Sequence, residues 1–484
     1  MLDQAEHKRR TVASVTDRKK KSALGQFMTP STVAKFMAGL FDVPETGHVS
    51  LLDAGAGMGA LLSALLERVP AKVKARADAF EVDPDIAPHL AEVLEPYKDR
   101  GIEISIRNED YIDAGTHMAV ARQSRYTHAI LNPPYKKIAT SSWHRAELRR
   151  AGLETVNLYS GFVGLAIMTL ADKGQIVVIM PRSFANGPYY MPFRKLLLDT
   201  CSIRRMHLFD ARNKAFKDDA VLQETIIMHI QRGVAQGDVL VSRSTDDSFE
   251  DMEVFTLPFS EIVRPGDAER FIYVPSDGER SALEQALPEP ASLLDLSLKV
   301  STGPVVDFRM RQYLHPNAGT PGTVPLLYPA HFKDVRLEWP MEGKKPNAIT
   351  LDADTAKWMY PKGWYAVCRR FTAKEERRRI VAGVIDPSVL GDAQVIGIEN
   401  HVNVYHFGKQ GISEVLAKGV ATYLNTTLVD DHFRRFNGHT QVNAGDLKSM
   451  PYPSLPVLEE LGRWAMTTND YSQEAIDEAF RKII

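Results

Sequence analysis

An α/β fold built on a mostly parallel sheet, followed by a mixed α/β module, is what this 484-residue sequence predicts. Three observations carry that expectation. Short apolar runs alternate with helix-periodic stretches through the first half, a glycine-rich turn follows the first such run, and composition shifts after residue 233. Beyond the shift, short β-prone pieces are divided by Gly, Pro, Ser and Asp.

The first strand is Val49-Ser50-Leu51-Leu52, which runs into Asp53-Ala54-Gly55-Ala56-Gly57-Met58-Gly59 and then the helical stretch Ala60 to Arg68. Gly55 and Gly57 allow a turn to wrap closely around a ligand, and dinucleotides, phosphates and S-adenosylmethionine are all held by loops of this kind. Ala75 to Phe80 reads as a second strand, placing Glu81 at its carboxyl end, where an acid can bind ribose hydroxyls. Ile102 to Ile106 alternates as a third, with Asp110 and Tyr111 just beyond it, suited to an adenine amino group and ring. Each acid alone is an ordinary loop carboxylate; their shared position after successive strands is the signal.

Next comes the buried run His128-Ala129-Ile130-Leu131, from whose end Asn132-Pro133-Pro134-Tyr135 projects. A planar amine on a base or amide is a poor nucleophile because its lone pair is delocalised. The Asn132 side-chain carbonyl and the Pro133 backbone carbonyl can accept its two hydrogens and draw the nitrogen towards tetrahedral geometry. Pro133 and Pro134 stiffen that arrangement, and Tyr135 offers a ring face to a planar substrate. The same tetrapeptide is also compatible with a plain turn after a strand.

The alternation then continues: helix over Leu158 to Leu170, strand Gln175 to Met180, helix Pro192 to Leu198, strand Ile203 to Phe209, and a last strand Glu224 to Ile230. Ligands of such a sheet belong at the carboxyl ends of its strands. From Pro456 onward the sequence predicts a helical closing element, and neither internal repeats nor low-complexity segments stand out.

Composition excludes several classes. Hydrophobic content of 44% is that of a soluble globular chain, no apolar stretch approaches the roughly 20 residues of a membrane helix, and the amino terminus lacks a hydrophobic signal core. A cytoplasmic location is expected. Cys201 and Cys368 are too few for a disulfide framework or a four-cysteine metal site, and neither follows a proline after a cofactor strand, so attack on a base carbon lacks a nucleophile. No His/Cys/carboxylate cluster suggests a metal. Net charge is only -2, yet basic pairs recur at Arg369-Arg370 and Arg434-Arg435, and the first residues carry Lys8-Arg9-Arg10 and Arg18-Lys19-Lys20-Lys21.

In the order of its motifs the chain resembles the gamma group of adenine-N6 DNA methyltransferases of restriction-modification systems. Gly25-Gln26-Phe27-Met28-Thr29-Pro30 is similar to that family's first cofactor segment and precedes the glycine loop, the two acids and the tetrapeptide. The resemblance implies a Rossmann-like methyltransferase fold with S-adenosylmethionine as cofactor. Phe27 and Thr29 would close over its methionine part, Asp53 would hold the methionine end, Glu81 the ribose, and Asp110 with Tyr111 the adenine. Phe216, between the last two predicted strands, would pack on an extruded target adenine opposite Tyr135, unless it merely closes the core.

The domains expected are a basic arm at 1–24, a catalytic domain at 25–235, a connecting region at 236–292 and a target-recognition domain at 293–484. Within the last, Phe433 to Asn443 joins paired cations to aromatics and amides, and resembles a segment of restriction-linked adenine methyltransferases. Arg369, Arg370, Arg434, Arg435, Asn437, His439, Gln441 and Asn443 are the expected DNA contacts, against the alternative of an Asn-Gly turn. The expected partner is double-stranded DNA, with a separately encoded endonuclease acting on the same site, no obligate protein partner and no membrane. Methylation of a guanine amine in ribosomal RNA or of a protein glutamine amide would use the same tetrapeptide. A binding-only descendant would keep the fold without catalysis.

Overall fold

Strand order, more than any single contact, positions the chemistry of this protein. The structure, a computed structural model, describes residues 29–209, 225–273, 281–287, 289–333, 335–372, 376–437 and 441–484, with Pro188 and Phe436 described by backbone alone. Two compact units divide between Gly278 and Glu279.

Among its described residues the first unit holds nine strands: β1 Gly47–Ala54, β2 Val73–Phe80, β3 Glu103–Arg107, β4 Tyr126–Leu131, β5 Leu170–Pro181, β6 Cys201–Phe209, β7 Thr225–Arg232, β8 Val239–Ser244 and β9 Glu253–Leu257. They lie in the order β3-β2-β1-β4-β5-β7-β6-β8-β9. Neighbours from β3 to β5 are parallel, whereas β7 runs antiparallel between β5 and β6. The order reverses between β1 and β4, the switch point at whose carboxyl ends doubly wound sheets bind ligands.

Period-two alternation explains why the central strands are continuous apolar runs. Leu52, Leu131 and Val178 face one core with helices α4 Tyr111–Val120, α6 Leu158–Thr169 and α7 Met191–Thr200. Their neighbours Leu51, Ile130 and Val177 face another, with α1 Ser31–Gly39, α2 Ala60–Glu67 and α3 Ala87–Lys98. A further helix, α5 Trp143–Arg150, follows the tetrapeptide.

Residues 236–292, expected to connect two domains, do more than connect. β8 pairs parallel to β6 and β9 closes that edge, so the sheet does not end at β7 and the division falls later, after Gly278. The sequence hid this because both strands are short and neither forms a continuous buried apolar run. Buried Val239 and Val241 on β8 belong to the first core, while Glu253 and Val254 on β9 are exposed.

The second unit contains a four-stranded antiparallel sheet, Lys299–Thr302, Val402–His406, Tyr365–Arg369 and Ala382–Ile385 in that order, and a five-stranded sheet that includes Thr323–Leu327 and Val395–Ile398. Tyr365, Val367, Ile385, Ile396 and Val404 sit in its core. Helices Glu414–Leu424 and Leu455–Thr467 pack so closely that a Cβ on Gly419 would stand 1.9 Å from the Leu458 carbonyl oxygen, and one on Gly462 1.9 Å from that of Val415. The carboxyl-terminal helices Leu455–Thr467 and Gln473–Ile483 match the expected closing element. Among the described residues no helix is long and apolar enough to cross a membrane.

Candidate active site at the switch point of the sheet

The glycine loop begins where β1 ends. Gly55 and Ala56 donate their backbone N–H groups to the Phe80 carbonyl at 2.9 and 2.8 Å, tying the loop to the end of β2. Gly57 takes φ +53°, in the left-handed region, and among the described residues nothing lies within 4 Å of where its Cβ would stand. Its N–H donates to Glu81 Oε2 at 2.9 Å, while Glu81 Oε1 accepts from the Asp83 N–H at 2.8 Å. Glu81 is buried, and burial raises its pKa against those two hydrogen bonds.

Asp53 is wholly buried beneath this loop, and among the described residues neither carboxylate oxygen has a hydrogen-bond partner of good geometry. Burial first, and the neighbouring Glu81 charge, raise its pKa to about 8, with the Leu62 backbone N–H pulling the other way. A buried carboxyl without a good partner beside an open glycine cradle fits a ligand that brings a cation and hydroxyls, as S-adenosylmethionine does.

The tetrapeptide stands beside the loop. A Cβ on Gly55 would lie 3.9 Å from the Asn132 backbone oxygen and 4.0 Å from Pro134 Cδ. The Asn132 side chain is held at both ends: Nδ2 donates to Thr29 Oγ1 at 3.0 Å, and Oδ1 accepts from the Tyr135 hydroxyl at 3.0 Å. Tyr135 also reaches the Ile179 carbonyl at 3.3 Å, and burial pushes its phenol well above the usual range, so it remains a donor. Behind it stand Tyr159, edge-on at 6.4 Å, and Tyr190, stacked on Tyr159 at 5.7 Å. Thus Thr29, Asn132, Pro134, Tyr135, Gly55, Gly57, Asp53 and Glu81 come together at one end of the sheet.

Other expected residues are placed differently. Asp110 caps α4 by accepting the Ile112 N–H at 2.8 Å and pairs with His144 Nε2 at 2.8 Å. It stays partly exposed. Tyr111, expected to face an adenine ring, instead points into the first core between Phe80 at 5.1 Å and Phe162 at 5.2 Å, and is 2% exposed. It is the first residue of α4, whose inward face is apolar. Phe27, Phe216 and His439 lie outside the described residues, as does the basic arm.

In the second unit, several expected DNA contacts are internal braces. Asn437 is buried, donating to Asp446 Oδ2 and accepting from Arg379 Nη2 at 3.2 Å. Asn443 is the N-cap of helix Ala444–Ser449, closed by a capping box with Asp446. Arg434 pairs with Asp430 at 2.7 Å and donates to the Glu376 carbonyl at 2.9 Å. Arg370 donates to the Asn400 carbonyl and Gln441 Oε1. Arg369 is half-exposed and 3.6 Å from Glu376, and Arg435 is partly exposed. Amides and cations that read as base-contacting by composition are consumed here because loop carbonyls and carboxylates need them first.

Sequence reasoning missed Tyr159, Tyr190 and His144. A helix-periodic run hides Tyr159, and His144 lies in a polar stretch with no signal that it meets Asp110. Cys201 and Cys368 are both buried. Among the described residues no three His, Cys, Asp or Glu side chains form a metal-holding group.

Residues 72–216 match the family model of the Eco57I restriction-modification methylase. The chain is 48% identical to the Type II methyltransferase M.BsuBI of Bacillus subtilis over 96% of this chain and 95% of that protein. It is 39% identical to the Type II methyltransferase M.PstI of Providencia stuartii over 97% of this chain and 94% of that one. Among solved structures it is similar to the Type IIL restriction-modification enzyme MmeI in complex with DNA, with TM-score 0.49 and 11% identity, covering 100% of this chain and 73% of that one.

Proposed function

The chain belongs to the family of Type II restriction-modification methyltransferases, and from that premise we propose that it transfers a methyl group from S-adenosylmethionine to N6 of an adenine rotated out of duplex DNA. The observation that carries this reading is the Asn132 amide, gripped between Thr29 and Tyr135 beside the glycine loop.

The bound donor supplies an electrophilic methyl carbon on a positively charged sulfur. Asp53 and the Gly55 to Gly57 turn hold its methionine end, Glu81 takes the ribose hydroxyls, and Asp110 accepts from its adenine amine. Phe27 and Phe216 keep the roles that the family resemblance implies for them. Thr29 and Tyr135 fix the Asn132 side chain with Nδ2 towards one and Oδ1 towards the other. Oδ1 and the Pro133 carbonyl accept the two hydrogens of a planar amine and concentrate its lone pair on nitrogen. Alignment supplies most of the acceleration, and the Tyr135 ring bears on the extruded base. Binding offsets the few kcal/mol of unstacking. The second unit, from Glu279, reads the target sequence, and the protein works in the cytoplasm beside a separately encoded endonuclease for the same site.

Incubation of the protein with labelled donor and duplex DNA, followed by nucleoside analysis, tests this. Label in N6-methyladenine is expected, and Asn132→Ala should lower turnover by about 100-fold or more while donor binding persists. Label in a cytosine amine, in RNA alone or in protein overturns the adenine assignment; normal methylation by Asn132→Ala overturns the role of that residue.

A further inference from the structure

The second unit carries a surface constellation drawn from three stretches distant in sequence. Glu399 follows strand Val395–Ile398 and is 0% exposed. Its Oε2 accepts from the His401 backbone N–H at 2.9 Å and its Oε1 meets His401 Nδ1 at 2.5 Å. Burying a carboxylate is costly, so one that spends both oxygens on a single residue serves to hold that residue. The imidazole it holds is 38% exposed. With Nδ1 committed inward as donor, the neutral ring offers Nε2 to an outside partner as an acceptor.

Phe371 lies against this imidazole, edge-on with ring centroids 4.7 Å apart, and is 40% exposed. The two are locked together. Arg370 donates its backbone N–H to the His401 carbonyl at 2.8 Å and its Nη1 to the Asn400 carbonyl at 3.2 Å, while Phe371 forms a β-bridge with Gln441. Val442 donates to the Arg370 carbonyl at 2.7 Å. An apolar ring beside an acceptor of fixed direction suits a base edge better than a phosphate, for which a cation pointing outward would serve; Arg370 is turned inward. In the major groove, an A·T pair presents both an adenine amine donor and a thymine methyl, with the thymine O4 acceptor between them.

We propose that Phe371 and His401 read an A·T pair of the target sequence, Phe371 against the thymine methyl and His401 Nε2 accepting from the adenine amine, with Glu399 as the positioning residue. This rests on duplex DNA being the substrate.

The test uses the full chain and duplexes carrying its recognition site, found by sequencing modified host DNA, with each base pair changed singly. His401→Ala and Phe371→Ala should each raise KM for DNA and relax preference at the same A·T position by about tenfold. Donor affinity should not change. Glu399→Gln should relax the same position, and His401→Gln, which keeps an acceptor, should retain part of the preference. If the alanine variants fail to fold, His401→Gln and Phe371→Leu carry the test. Unchanged preference, relaxation at a G·C position, or a uniform loss across all duplexes overturns the proposal. If the unaltered protein transfers no methyl group to any DNA, it is the underlying reading that fails.

Discussion

At Asp53, a single carboxyl couples donor binding to protons. Its pKa, raised from 3.8 to about 8 by burial, means that the folded protein holds this proton more tightly than the unfolded chain does. The associated stability is full below the unfolded value and is lost as pH rises through about 8. A cation placed against Asp53 favours the ionised form, so donor binding should release a proton. Calorimetric titration across pH should find Kd weakening by about tenfold per unit as pH falls below 8, and a flat profile for Asp53→Asn. Equal slopes in the two proteins would remove Asp53 from the donor site. Tyr135 makes a different contribution. Tyr135→Phe keeps the ring but removes the donor to Asn132 Oδ1, and kcat should fall about tenfold with KM for the donor unchanged, because one hydrogen bond orienting Asn132 is lost. Steady-state kinetics decides it; a changed KM with constant kcat would mean the hydroxyl binds rather than orients.

Elements were legible where burial on both faces left apolar runs, as in β1, β4, β5 and β7, where apolar and polar residues alternated, as in β2, and where a helix showed a clear period, as in α2 and α6. They were illegible where polar residues covered one side: β8 and β9 read as a connection, and α5, with sequence Trp-His-Arg-Ala-Glu-Leu-Arg-Arg, gave no apolar face to find. The site divides along similar lines. The positions of Asn132, Asp53 and Glu81 were legible because each lies at the carboxyl end of a strand, a placement set by the local sequence. The internal partners of Asn437, Asn443 and Arg434, which are Arg379, Asp446 and the Glu376 carbonyl, were not legible because tertiary packing brings them together. Closest approach between helices was equally hidden. Gly419→Ala would drive a methyl group into the Leu458 carbonyl, and the helix pair must part to admit it. A loss of about 3 kcal/mol in urea unfolding of the second unit is expected, with donor affinity unaltered. A loss below about 0.5 kcal/mol would mean the helices slide apart freely.

Because each unit has core residues of its own, heat unfolding of the whole molecule should not follow a two-state curve. Scanning calorimetry should resolve two transitions, of which the methyl donor raises only the one belonging to the unit that carries the glycine loop. A single transition raised as a whole would contradict this. The order of the large sheet also has a consequence for synthesis. β6 precedes β7 in the chain, yet β7 lies between β5 and β6 and pairs with both. A nascent chain that has emerged only as far as Phe209 therefore leaves one side of β5 bare, a ready template for another ribosome's product until Thr225–Arg232 arrives to fill the slot. Fragments cut before that strand should collect as insoluble aggregates, and slow translation across this stretch should make the full-length protein chaperone-dependent.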